Sequence, residues 1–186
     1  MRIIACLTLS LLAWTAGAAS AGAPPPVAAV WKVRHVNFVY RGRTARYSCE
    51  GLREKLRAML LDLGVRRDLK MVSRGCGDAG HAPVGGASLG LDLTFSAPAL
   101  ANAPPPRGAT AGIDARFETF TITSDAFRNM GVGDCELVSA FTQQILPKLA
   151  TRAVRHDIAC DPHRESGNRF WVRGEVLRPK RNVTGP

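Results

Sequence analysis

The sequence predicts an α+β protein made of two pseudo-symmetric β-α-β-β units that share one core. Two stretches of similar length, residues 49–76 and 135–160, each open with a cysteine and a helical pattern and close with a strand-like run and a cysteine. A further strand-like pattern precedes each stretch and another follows it. A unit of about 70 residues has little core of its own. We therefore expect one antiparallel or mixed sheet, or two abutting sheets, with both helices covering one face.

The N-terminus has the pattern of a secretory signal peptide, assigned to residues 1–21. Arg2 supplies the positive charge, residues 3–14 form a short apolar region, and residues 19–21 are a small-x-small cleavage site. The apolar region is shorter than the roughly 20 residues that a membrane span needs. We therefore expect a bacterial periplasmic or secreted protein without a transmembrane span. Residues 22–30 are expected to be a flexible start of the mature chain.

The first unit is assigned to residues 31–97. Its helix begins after Ser48, a good N-cap, and ends at Gly64, a natural C-cap. Strands are predicted over residues 31–40, 69–73 and 89–95. Apolar residues at helical spacing form one stripe, which predicts a buried helix face: Leu52, Leu56, Met59, Leu60 and Leu63.

A segment rich in proline and glycine, residues 98–112, predicts a linker before the second unit, residues 113–179. In that unit Asp134 is the predicted N-cap and Pro147 is expected to end the helix early. Strands are predicted over residues 115–123, 154–159 and 170–177, and residues 180–186 form a basic tail. The apolar stripe of this helix consists of Val138, Phe141, Ile145 and Leu149.

The four cysteines after the signal region allow three disulfide pairings. A helix of about 15 residues rises roughly 22 Å, and a strand of about seven residues returns about the same distance. This geometry favours Cys49–Cys76 and Cys135–Cys160, each closing a loop worth roughly 3 kcal/mol. A redox-active cysteine at a helix N-terminus is the alternative. However, the sequence has no Cys-x-x-Cys pair, and the spacing also disfavours zinc.

The formal net charge is +10, and the basic residues are unevenly spread. Five of them fall between residues 32 and 46 without an acidic residue. Arg41, Arg43 and Arg46 precede a helix N-terminus, where backbone donors favour anions, and are the best binding candidates. An anionic envelope polymer, lipid head groups or an acidic protein would suit this charge. Nucleic acid does not suit an exported protein, and a solvated loop is the alternative.

Signals of catalysis are few, and we predict a binding or envelope-assembly protein without catalysis and without a cofactor. The chain has no Gly-x-Ser-x-Gly elbow, phosphate loop or dinucleotide fingerprint. The alternative is a small hydrolase or metal-binding protein that uses the loops after Cys76 and Cys160. Those loops contain Asp78, His81, Asp161 and His163, which could act as acid/base pairs or metal ligands. They also have the composition of ordinary polar turns.

Several short segments resemble uncharacterised exported proteins of proteobacteria. These are residues 46–52, residues 75–76, residues 133–137 and residues 160–163, which read RYSCEGL, GC, GDCEL and CDPH. The resemblance spans most of the chain after the signal region. It implies a periplasmic or secreted bacterial protein and carries no activity with it.

Overall fold

In the part of the chain that the structure describes, six antiparallel strands form one sheet and two α-helices accompany it, so the predicted α+β class is confirmed. The computed structural model describes residues 25–43, 45, 47–74, 88–101, 112–124, 130–161 and 167–180. The strands and helices are, in chain order, β1 (Val27–Tyr40), α1 (Cys49–Asp62), β2 (Lys70–Arg74), β3 (Leu89–Leu100), β4 (Gly112–Thr123), α2 (Cys135–Gln144), β5 (Thr151–Ala159) and β6 (Arg169–Pro179). Short 3-10 turns flank α2 at Val132–Asp134 and Leu146–Lys148.

The strand order is β2-β3-β1-β4-β6-β5. β1 pairs with β3 from Ala29 to Tyr40, and β4 pairs with β6 from Ala115 to Thr123. The joint between β1 and β4 is much shorter, because only Val27–Val30 pairs with Gly112–Ala115. The sheet therefore consists of two well-paired groups of three strands that meet at a narrow central seam.

Local sequence explains where α1 begins and ends. The Ser48 hydroxyl accepts the amide hydrogen of Gly51 and caps the first turn. Gly64 ends the helix with a φ of 88°, a left-handed conformation that glycine adopts without strain. The predicted stripe is fully buried in the core. Both predicted caps and the predicted helix face are confirmed.

The second helix is shorter, as the proline predicted. α2 ends at Gln144, and Pro147 lies inside the 3-10 turn that follows. Asp134 occupies the N-cap position, yet its side chain makes no capping hydrogen bond. The predicted stripe from Val138 to Leu149 is buried. The carboxylate of Asp134 instead accepts the Gly131 amide hydrogen and takes the tertiary role described below.

One large core contains the apolar faces of both helices and one alternating set of strand residues, so the helices cover the same face of the sheet. On that face Phe38 of β1 and Ile122 of β4 are both fully buried. A small second cluster lies on the opposite face at the seam, around Ala29, Ala115 and Leu177. The seam is thus packed on the face opposite the helices.

The first strand corrects one sequence-based boundary. β1 begins at Val27, whereas the sequence predicted a strand from Trp31 after a flexible segment. Val27–Val30 is ordered because it supplies all the pairing with β4. β3 likewise continues to Leu100, beyond the predicted start of the linker. Strand propensity did not reveal these extensions, because a pairing partner determines them.

One of the two predicted disulfides lies within the described residues, and it joins Cys135 at the start of α2 to Cys160 just after β5. Cys49 is also disulfide-bonded. Its predicted partner, Cys76, lies outside the described residues, so the Cys49–Cys76 pairing stays a prediction. None of the helices in the described ranges has the length and apolar character required to span a bilayer.

Candidate functional site

An open groove lies where the end of β1 meets α2 and encloses a volume of about 520 Å³. Arg41, one of the predicted binding residues, lies in its wall and is exposed. Its lining consists of Val39, Arg41, Glu136, Ser139, Ala140, Gln143, Gln144 and Cys160. The groove therefore combines one strand end, one helix face and the cystine that ties that helix to β5.

Gln144 holds the two sides of this groove together. Its Oε1 accepts the Val39 amide hydrogen at 2.9 Å, and its Nε2 donates to the Val39 carbonyl oxygen at 2.9 Å. Within the described ranges, β4 pairs with β1 only as far as Val30 and leaves this part of the edge without a strand partner. The side-chain amide thus substitutes for a neighbouring strand, which satisfies the backbone groups and positions α2 beside Arg41.

Hydrogen bonds to its backbone hold the loop after β1 against the rest of the protein. The Tyr40 hydroxyl donates to the Ala45 carbonyl at 2.8 Å, and the Arg43 amide donates to Glu136 Oε2 at 2.6 Å. The side chains of Arg41 and Arg43 remain exposed. Arg46 lies outside the described residues. The loop therefore has a constrained backbone and presents at least two guanidinium groups on the surface.

Beneath this loop lies a polar cluster around Asp134, which is only 4% exposed. Its Oδ2 lies 2.7 Å from Lys55 Nζ of α1 and 2.6 Å from the Gly131 amide nitrogen. Its Oδ1 accepts a hydrogen bond from the Tyr47 hydroxyl. A buried carboxylate needs such donors, because its unpaired charge would be costly. We call Tyr40, Tyr47, Lys55 and Asp134 the Asp134 cluster.

The two tyrosines of this cluster are kept protonated. Burial raises the pKa of Tyr47 well above its ordinary value, and its hydrogen bond to Asp134 raises it further. Burial also raises the pKa of Tyr40, with added effects from Glu136 and Asp134. Their rings meet edge to face with centroids 5.1 Å apart, and Lys55 Nζ lies 5.6 Å from the Tyr47 ring. The phenols therefore stay protonated and act as hydrogen-bond donors at neutral pH.

The structure describes only one of the four alternative catalytic residues. Asp161 is described, and its backbone amide donates to Asn168 Oδ1 at 2.6 Å. Asn168 is buried and also donates to the Val132 carbonyl at 3.1 Å, so it ties the end of β5 to the turn before α2. Asp78, His81 and His163 lie outside the described residues, so their convergence with Asp161 stays a prediction.

The described part of the chain contains no candidate cluster of metal-binding side chains. No group of three or more His, Cys, Asp or Glu side chains comes together there. The described cysteines Cys49, Cys135 and Cys160 are disulfide-bonded and offer no thiolate ligand.

The sequence analysis named Arg41 as a binding candidate but named neither Lys55 nor Gln144, and neither residue belongs to a recognisable motif. The one available signal was Tyr47 immediately before the cap of α1, because a large amphipathic ring at that point needs a polar partner for its hydroxyl. The chain matches no protein-family model, and no curated protein or solved structure is significantly similar to it.

Proposed function

We propose that this protein is an exported, disulfide-stabilised binding protein of the bacterial envelope that works without catalysis. Its partner is anionic, and the binding site is the groove together with the basic loop that contains Arg41 and Arg43. The main support for this proposal is the position of Arg41. It is exposed in the wall of a groove and has no ion-pair partner among the described residues, while the loop backbone beneath it is constrained.

Charged residues of both signs lie at this groove and on the loop beside it. Glu136 is the acidic residue of its lining, and that carboxylate already accepts the Arg43 amide hydrogen. Arg41 lines the same groove, Arg43 is exposed on the loop that follows, and the predicted third arginine, Arg46, is close in sequence. A constrained loop loses little conformational freedom when it binds, so its charges are preorganised for an anion.

The location forms part of the proposal and rests on the N-terminal signal pattern, the resemblance to exported proteobacterial proteins and the disulfide. A disulfide such as Cys135–Cys160 persists in an oxidising compartment. Together these features favour the periplasm or the extracellular space. There the partner would be an anionic envelope polymer, lipid head groups or an acidic protein.

We further propose that the two halves are copies of one β-α-β-β plan. The element order supports this, because β1-α1-β2-β3 is followed by β4-α2-β5-β6. The sheet order supports it as well, since β2-β3-β1 from one edge matches β5-β6-β4 from the other. The Asp134 cluster then links the two copies, and the groove lies where the copies meet.

Binding to lipid vesicles and lipopolysaccharide tests the proposed function. We expect the purified, disulfide-bonded protein to bind phosphatidylglycerol vesicles or lipopolysaccharide, and to bind purely zwitterionic phosphatidylcholine vesicles more weakly. Binding should weaken as salt rises above about 0.1 M, where charges are screened over roughly 10 Å. Replacing Arg41, Arg43 and Arg46 by Ser should weaken it further without loss of the fold.

A control with the same loss of charge separates the site from net charge alone. Arg67, Lys70 and Lys148 are exposed and do not line the groove, so their replacement by Ser removes three charges from other parts of the surface. We expect this control to retain most of the binding. Equal losses in both triple variants, or binding that salt does not affect, would overturn the assignment of the site.

A further inference from the structure

β5 is an edge strand of the sheet. Its inner side pairs with β6, and within the described ranges no strand pairs with its outer side. An open edge of nine residues presents unpaired backbone donors and acceptors, which favour the addition of another strand. Native proteins usually block such edges. A part of β5 that is not blocked is therefore a candidate site for pairing with another strand.

Only the first part of this edge is blocked. The register with β6 shifts between Arg152 and Arg155, and Ala153 has a φ of 51°. A bulge of this kind twists the strand and interrupts its pairing capacity. From Arg155 to Ala159 the strand pairs regularly with β6, so its outer edge is regular too. Any added strand would therefore pair with the part of β5 that follows the bulge at Ala153.

The side chains of this segment alternate between the two faces of the sheet. Val154 and Ile158 pack against the main core on the helix face, and the exposed His156 lies between them. Arg155 and Asp157 therefore point to the opposite face. In an antiparallel pair, residues directly opposite each other point to the same side, so the register decides which of these groups meet.

In one register, this segment of β5 is complementary in charge to the same segment of a second copy. If two copies of β5 pair with His156 at the two-fold axis, Arg155 of each copy lies opposite Asp157 of the other. In the same register Val154 lies opposite Ile158. Centring the pair on Arg155 would oppose two arginines, and centring it on Asp157 would oppose two aspartates, both of which are unfavourable. Among the three registers centred on Arg155, His156 and Asp157, charge complementarity thus selects the one centred on His156.

We propose that this edge is a self-association surface at which β5 pairs antiparallel with β5 of a second copy of this chain, centred on His156. The contact is isologous, because the same surface serves on both copies. It joins two six-stranded sheets into one continuous sheet and leaves both groups of helices on the same face. Because five residues on each side bury little area, the dimer is weak, with a Kd on the order of 10–100 µM.

The opposite edge of the sheet provides a contrast. β2 contains only five residues, with Lys70 and Arg74 at its ends. Pairing two copies of β2 about its central residue, Val72, would place Lys70 opposite Arg74 at both ends. Like charges directly opposite are destabilising, so this edge resists the association that β5 permits.

Charge reversal at the two complementary positions tests the proposal. By sedimentation, the wild type is expected to dimerise, whereas Arg155→Asp alone and Asp157→Arg alone each place two like-charge pairs in the interface. Each single variant should raise the Kd at least about tenfold. The double variant Arg155→Asp/Asp157→Arg should restore the dimer, and an equimolar mixture of the two single variants should form a heterodimer.

Both positions tolerate the changes in the monomer. Arg155 is exposed, and the ion pair between Asp157 and Arg169 lies on the surface at 3.5 Å. Arg57→Glu, an exposed charge reversal on α1, serves as the control and should leave the dimer unchanged. A wild type that stays monomeric at about ten times the expected Kd would overturn the proposal. So would single variants that associate as the wild type does, or a mixture that forms no heterodimer.

Discussion

Lys55 of α1 and Asp134 at the start of α2 are 79 residues apart in the chain, yet Nζ lies 2.7 Å from Oδ2. The Asp134 side chain is 6% exposed and that of Lys55 is 24% exposed, so water screens the pair only in part. This ion pair connects α1 to the turn that precedes α2. It also supports the loop that presents Arg41.

Removing the cation should destabilise the protein strongly. Lys55→Met leaves the Asp134 carboxylate buried with fewer donors, and we expect the free energy of unfolding to fall by about 2 kcal/mol. Arg53→Met is the matched control on the same helix, because Arg53 pairs with Glu50 at the surface. That exposed pair should contribute less than about 0.5 kcal/mol. Urea unfolding of both variants measures the difference, and equal effects would contradict the role of Asp134.

The chain contains only two tyrosines, Tyr40 and Tyr47, so phenolate absorbance reports directly on the Asp134 cluster. Both pKa values are raised in the fold above their ordinary value of about 10. Their contribution to stability is complete below pH 10, and it is lost as pH rises further because the unfolded chain ionises first. We expect phenolate to appear only together with alkaline unfolding.

An ultraviolet pH titration followed in parallel with circular dichroism checks this coupling. Phenolate that appears near pH 10 in a protein that is still folded would show that the tyrosines are not held as described. In Tyr47→Phe, stability should depend less steeply on pH above 10, although the protein is less stable at neutral pH because Asp134 has lost a donor.

Gln144 should be more important for stability than its sequence neighbour Gln143. Gln144→Met keeps the size of the side chain but leaves the Val39 amide and carbonyl without their partners, at a cost of about 1–2 kcal/mol. Gln143 is exposed and bonds only to the Ser139 hydroxyl on its own helix, so Gln143→Met should cost less than about 0.5 kcal/mol. Thermal unfolding compares the two. Hydrogen exchange at Val39 should be faster in Gln144→Met alone.

The disulfide of the second half should stabilise the fold substantially. Cys135 and Cys160 are separated by 25 residues, and removing their bond with Cys135→Ala/Cys160→Ala should cost roughly 3 kcal/mol. Peptide mapping without reduction should recover this pair and, as predicted, a Cys49–Cys76 pair. A peptide that links Cys49 to Cys135 or Cys160 would contradict both the structure and the assignment of two matching units.

The sequence by itself determined the elements whose causes are local. The cap at Ser48, the left-handed Gly64, the apolar stripes and the proline that ends α2 act within a few residues of where they stand. Such signals arise from backbone geometry and helical spacing, which neighbouring residues define. The pairing of Cys135 with Cys160 followed from the same local lengths. All of these could be predicted, together with the α+β class and the exposed Arg41.

Only the tertiary structure decided the features that depend on partners distant in sequence. Val27–Val30 becomes a strand because β4 pairs with it, and Asp134 accepts bonds from Lys55 and Tyr47 because the fold brings α1 to the start of α2. Gln144 bonds to the Val39 backbone because, within the described ranges, no strand pairs with this edge of β1 beyond the seam. A hydrogen-bonding side chain has the same local pattern whether it meets water or a buried partner, so its role becomes defined only when the chain is folded.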